Sequence, residues 1–194
     1  MKDITSHEMK FALAVLKSPE IEFNANNIAK SIEISSMGAL KIASRLVKEK
    51  ILLMKPLGRA KYYHLNVNND YVVQYLRFLL KRENEQASPY IKRWISEIRK
   101  VKNADAAILF GSALSKNDSA KDIDILFVVN DKKFGSLKKE IEELNKLNDK
   151  MIHPLFQTKD DLLKNIRDND KVICSALKGI AAFGEELIIR LYQK

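Results

Sequence analysis

One cysteine, Cys174, is all that this 194-residue chain contains, so no disulfide can form within it. It lies in the apolar pattern VICSAL and reads as a small core residue. The three histidines (His7, His64 and His153) are scattered without metal-ligand spacing, which argues against a zinc site. Long hydrophobic runs are missing too. No apolar stretch approaches bilayer-spanning length, and the N-terminus lacks the apolar segment of a signal peptide. No membrane partner is expected, and the cytoplasm is the expected location. Negative charge is in short supply: 25 Asp and Glu stand against 34 Lys and Arg, for a formal net charge of +9. That balance permits nucleic-acid binding without requiring it. What is present suffices for a core, with 46% hydrophobic residues in a chain long enough for one larger domain or two small ones.

The positive charge is concentrated. Seven basic residues lie between Lys41 and Lys61 (Lys41, Arg45, Lys48, Lys50, Lys55, Arg59, Lys61) against one acid, Glu49. A solvated, lysine-rich helix face would look the same, so the local fold has to decide. MKFALAVLKS has helical apolar spacing through Phe11, Val15 and Leu16. Asn24-Ala25-Asn26-Asn27 offers caps for a short helix, IAKSIEI. Ser35-Ser36 can cap a longer one through MGALKIASRLVKEK, with Leu40, Ile42, Ala43 and Leu46 expected on its inner face. Ile51–Met54 and Lys61–Leu65 read as strands around the turn Pro56-Leu57-Gly58-Arg59.

Three helices followed by a hairpin resemble the winged helix-turn-helix DNA-binding domains of prokaryotic transcription regulators, over residues 2–66. The resemblance implies double-stranded DNA as a partner. The third helix would present Ser36, Met37, Lys41, Ser44, Arg45 and Lys48 to the major groove, and the wing would present Lys55, Arg59 and Lys61. Those cations would neutralise phosphates whatever the base sequence. A winged helix used for protein contacts or dimerisation is the alternative. The following stretch, DYVVQYLRFLLKR, is amphipathic, with Val73, Leu76, Leu79 and Leu80 on one side. That stripe is either a homodimer seam or packing within its own domain. ENEQASP reads as a break, and Ser88-Pro89 opens a helix with Ile91, Trp94, Ile95 and Ile98 on one stripe. A domain boundary is expected near residues 83–88, dividing the chain into 1–84 and 85–194.

The stretch AAILFGSALSKNDSAKDIDILFVV carries the chemistry. In a strand, residues two apart share a face about 7 Å apart. Asp122 and Asp124 therefore present both carboxylates on one side, while Ile123 and Ile125 go into the core. Two converging carboxylates with no base between them suit a divalent cation with hard oxygen ligands, such as magnesium. Gly111-Ser112, ending the preceding strand, allows a phosphate close to the backbone and adds a hydroxyl. The alternative is a hairpin with chance aspartates. FGS, nine residues, then DID and an apolar run resemble the polymerase-beta-type nucleotidyltransferase superfamily, especially its small prokaryotic members, over residues 87–194.

That resemblance implies a mixed α/β domain binding Mg2+ (or Mn2+) and ATP or another nucleoside triphosphate. Gly111, Ser112 and Lys116 would sit at the nucleotide, and Asp122 and Asp124 at the metal. Two features depart from the family. Ser115 and Lys116 stand where an arginine is common, and the next strand, Met151–Gln157, has no carboxylate. His153 is the titratable group there, as a general base or simply a polar residue at a strand start; Asp149 is a weaker substitute. The expected fold class is α+β, a winged helix followed by a nucleotidyltransferase-like domain. Two functions follow: a DNA-binding transcriptional regulator whose second domain binds Mg-nucleotide or a protein partner, or an active transferase of NMP to a protein or nucleic-acid acceptor.

Overall fold

The computed structural model describes residues 4–191; the ends of the two expected domain ranges, residues 1–3 and 192–194, lie outside it. The chain divides into two compact units, one reaching Leu79 and one covering Leu80–Leu191.

The first unit opens with α1 (Ser6–Lys17), whose start is fixed by a reciprocal cap: the Thr5 hydroxyl accepts from Glu8 N, and Glu8 accepts from Thr5 N. Phe11, Val15 and Leu16 are buried, as their spacing predicts. A two-residue strand, β1 (Phe23–Asn24), leads into α2 (Ala25–Ser31), where Asn24 and Asn27 cap each other. Ser35 caps α3 (Ser36–Lys48) through Gly38 N. The inner stripe of α3 is Ala39, Ala43 and Leu46, not Leu40, which is 40% exposed. One residue is 100° of helix, so the small alanines that let α3 approach its neighbours turn Leu40 outward.

The hairpin of β2 (Leu52–Leu57) and β3 (Ala60–Leu65) is longer than its sequence suggests, with only Gly58-Arg59 in the turn. Pro56 lies inside β2, opposite Lys61. The order β1-β3-β2 makes β2 an edge strand, where proline's missing N–H breaks no ladder bond. Helix, short strand, two helices and hairpin make this unit a winged helix-turn-helix.

Helix α4 (Asp70–Gln86) runs through the first four residues of the stretch that read as a break, and the break itself is at Ala87-Ser88. Glu83, Glu85 and Gln86 are good helix formers, and Asn84 is buried, donating to Ala181 O. Val73, Leu76, Leu79 and Leu80 are all buried within the chain, which removes them as a dimer seam.

In the second unit, Ser88 caps α5 (Pro89–Ile98) and the chain continues into β4 (Ala106–Phe110). After α6 (Ala113–Lys116) and a 3-10 turn (Asn117–Ser119) come β5 (Ile123–Val128), α7 (Asp131–Leu147) and β6 (Ile152–Gln157). Helices α8 (Lys159–Arg167) and α9 (Lys171–Leu177), strand β7 (Ile180–Phe183) and α10 (Glu185–Arg190) complete it. The sheet order is β6-β5-β4-β7, parallel only between β5 and β6. Ala107, Leu109, Ile123, Ile125 and Phe127 face the stripes of α5 (Ile91, Trp94, Ile95, Ile98) and α7 (Leu137, Ile141, Leu144) in one core. The alternate residues, including Asp124, take the other face. Cys174 is buried in α9.

The burial of Leu76 yields a test. Leu76→Ala is expected to cost about 2–5 kcal/mol of stability through the cavity it leaves, without changing the mass in solution. Unchanged melting together with a halved mass would instead make the stripe a seam.

Candidate functional site

Two surfaces carry the predicted residues. On α3, Ser36, Met37, Lys41, Ser44 and Lys48 are exposed on one side. Arg45 does not join them. It donates from its Nη1 to Glu8 Oε1 at 2.5 Å and from its Nε to Glu49 Oε1 at 2.9 Å, and these bonds, that to Glu49 first, raise its pKa. Glu8 is buried, so Arg45 answers a carboxylate inside the fold and is not free for DNA. Lys55 and Lys61 are both exposed but lie on opposite faces of the wing, since Lys55 is opposite Tyr62 and Lys61 opposite Pro56. Arg59 is in the turn, next to Gly58 at φ +59°. The side chains of Lys41, Lys48, Lys55, Arg59 and Lys61 have no hydrogen-bond or ion-pair partner among the described residues.

The second surface is one end of the four-stranded sheet. Register puts Phe110, Asp124 and His153 side by side across β4, β5 and β6. Gly111 follows in the left-handed region at φ +77°. A Cβ there would lie 2.9 Å from the Asp124 Cγ and closer still to Oδ2, so the carboxylate occupies the space a side chain would need. The other oxygen, Oδ1, is 3.2 Å from His153 Nδ1. Asp124 is 22% exposed and His153 75%, so the pair opens to solvent from the histidine side. Asp122 is half-buried, and its carboxylate has no partner among the described residues. The Ser112 hydroxyl makes no cap bond, and Lys116 is exposed without a side-chain partner. Asp149 is elsewhere, paired with Arg93 at 3.3 Å.

Sequence reasoning missed the residues that hold the loop between Gly111 and Asp122. The Lys150 ammonium donates to the Asp118 and Ala120 carbonyls and lies 5.9 Å from the Tyr90 ring centroid. From the other side the Ser88 hydroxyl donates to Asn117 Oδ1 at 2.7 Å. Asn117 itself has φ +49°. Backbone carbonyls leave no mark in a sequence pattern, so nothing pointed to Lys150.

Residues 92–178 match the family model of the Polymerase beta nucleotidyltransferases, a little under half of the chain. This stretch is similar to the nucleotidyltransferases of that family. The match contains the Gly111-Ser112 turn, both aspartates and His153. No curated protein matches the chain. Among solved structures it is similar to MepR, a transcription regulator of the Staphylococcus aureus multidrug efflux pump MepA, at 16% identity and a TM-score of 0.36, covering 50% of this chain and 76% of that one. At that level the geometry described above, and not the neighbour, defines the winged helix. No helix among the described residues is long and apolar enough to cross a membrane.

The fit between Gly111 and Asp124 yields a double-mutant test. Gly111→Ala is expected to cost more than the about 1–3 kcal/mol of a left-handed non-glycine residue, because Asp124 must also move. Made in an Asp124→Ala background, the same change should cost less, and chemical denaturation of the four proteins reads the coupling. Equal costs in both backgrounds would mean that the carboxylate does not occupy that space.

Proposed function

We propose that the protein is a DNA-binding regulator whose nucleotidyltransferase-type domain binds a magnesium–nucleoside triphosphate. The observation that supports the nucleotide half is the sheet end itself: the Asp124 carboxylate packs against a left-handed Gly111, Ser112 follows that glycine, Asp122 lies two residues before Asp124, and neither the Asp122 carboxylate nor the Ser112 hydroxyl is used by the fold. Two carboxylates fit a hard cation, and Asp122, with no protein partner, has its oxygens free to hold one. Asp122 and Asp124 would hold the ion, while the open backbone at Gly111-Ser112 and the Lys116 ammonium would receive phosphate. Bound there, Mg2+ would neutralise the triphosphate and hold it for in-line transfer.

The DNA half rests on the unpaired cations of α3 and the wing. Five basic side chains without protein partners on the helix and ribbon of a winged helix suit a polyanion.

The pairing of His153 with Asp124 favours a second reading, an active transferase. If Nδ1–H donates to Oδ1, the ring is held in the tautomer that leaves Nε2 free to accept a proton from an acceptor hydroxyl. His153 would then stand in for the carboxylate that β6 lacks.

Two measurements test the proposal. Mg-ATP at millimolar concentration should raise the melting temperature of the wild type by mass action. Asp124→Asn should lose that shift while keeping or slightly gaining apo stability, because one of two repelling carboxylates is neutralised. Absence of a shift with any of the common triphosphates would contradict nucleotide binding. For DNA, Lys41→Ala with Arg59→Ala should weaken duplex binding and make the slope of log K against log salt shallower by about 1.8, at about 0.9 per phosphate contact. An unchanged slope in a folded double variant would remove the duplex from this face.

A further inference from the structure

Base edges in the major groove are read by a short chemical code. Arginine or lysine reads guanine, asparagine or glutamine reads adenine, acidic groups read cytosine, and apolar side chains contact the thymine methyl. The outward face of α3 has few of these tools. Its arginine, Arg45, is tied to Glu8 and Glu49, and the helix sequence SMGALKIASRLVK contains no Asn, Gln, Asp, Glu or His. What points outward is Ser36, Met37, Leu40, Lys41, Ser44 and Lys48.

Met37 and Leu40 are 62% and 40% exposed, one turn apart in the first half of the helix, the part that a recognition helix sets deepest into the groove. Left in water, such an apolar pair forgoes the burial that would stabilise it. Lys41 lies beside it and Lys48 more than two turns further along the same helix, with Lys55, Arg59 and Lys61 on the wing, none with a partner among the described residues. An occupant that matches both features has an apolar spot set within a run of negative charge. The major groove of duplex DNA has this chemistry wherever thymine methyls project between two phosphate backbones. A protein partner covering the same two side chains would have to answer the unpaired Lys41 beside them as well.

We propose that α3 recognises thymine-containing sites by packing Met37 and Leu40 against C5-methyl groups in the major groove, with Lys41, Lys48 and the wing on the flanking phosphates. The inference rests on the DNA-binding reading above and adds to it the class of sequence that is bound. The proposal uses the exposed Leu40 and does without Arg45, which Glu8 and Glu49 hold within the fold.

The test is selection of duplexes from a random pool by the wild-type protein, followed by replacement of thymines in the selected site with deoxyuridine, which removes only the methyl. Selected sites are expected to share thymines opposite α3, and each removed methyl should lower affinity about threefold to fivefold, the value of burying one such group. Met37→Ala with Leu40→Ala, both at exposed positions, should leave melting unchanged, lower affinity for the thymine duplex and bind the deoxyuridine duplex equally well. The salt slope, set by the cations, should stay as in the wild type. Equal wild-type affinity for thymine and deoxyuridine duplexes, or selected sites built on G·C pairs, would overturn the methyl readout while DNA binding stood. Failure of the wild type to bind any duplex would overturn both.

Discussion

The end of the four-stranded sheet is organised by a missing carbon. Asp124 can hold its carboxylate against the end of β4 only because residue 111 has no side chain, and residue 111 can turn at φ +77° for the same reason. The ladder sets Asp124 opposite Phe110 on one side and His153 on the other. Asp122 is set by a loop that Lys150 and Ser88 hold from opposite sides. The result is a group of polar atoms that the fold positions but does not use, which is the physical meaning of a candidate site.

On the winged helix the same distinction sorts the charges. Arg45 is consumed by the fold, joining α1 to α3 through Glu8 and the end of α3 through Glu49. The five unpaired cations do no such work. Net charge alone could not separate these roles; hydrogen-bond partners do. Exposed apolar side chains at Met37 and Leu40 add a second kind of unused surface, and the two together define which ligand chemistry the face can accept.

Much of this was legible where a rigid period governs. Strand alternation places Ile123 and Ile125 in the core and Asp124 away from it, because a period of two leaves no choice, whereas Asp122 lies in a bend just before β5 and is outside that rule. His153 could be named as the polar group of the next strand, and the parallel register of β5 and β6 brings it to Asp124. Helix faces were less legible. Whether Ala39 or Leu40 turns inward depends on how closely α3 packs, which composition does not encode. The burial of Val73, Leu76 and Leu80 was open for the same reason, since an apolar stripe looks alike in a core and in a seam. Arg45 reads as a surface cation until Glu8, 37 residues earlier, is placed beside it. Strand β1, two residues long, is defined only by its pairing with β3.

The account stands on the sheet end being a metal–nucleotide site. Crystals soaked with manganese and ATP, with data collected at an anomalous wavelength for manganese, test this directly. The account predicts an anomalous peak bound by Asp122 and Asp124, with phosphate density at Gly111-Ser112, and no peak in crystals of Asp122→Asn. Manganese bound elsewhere, or a sheet end without metal or phosphate in well-ordered wild-type crystals, would contradict it.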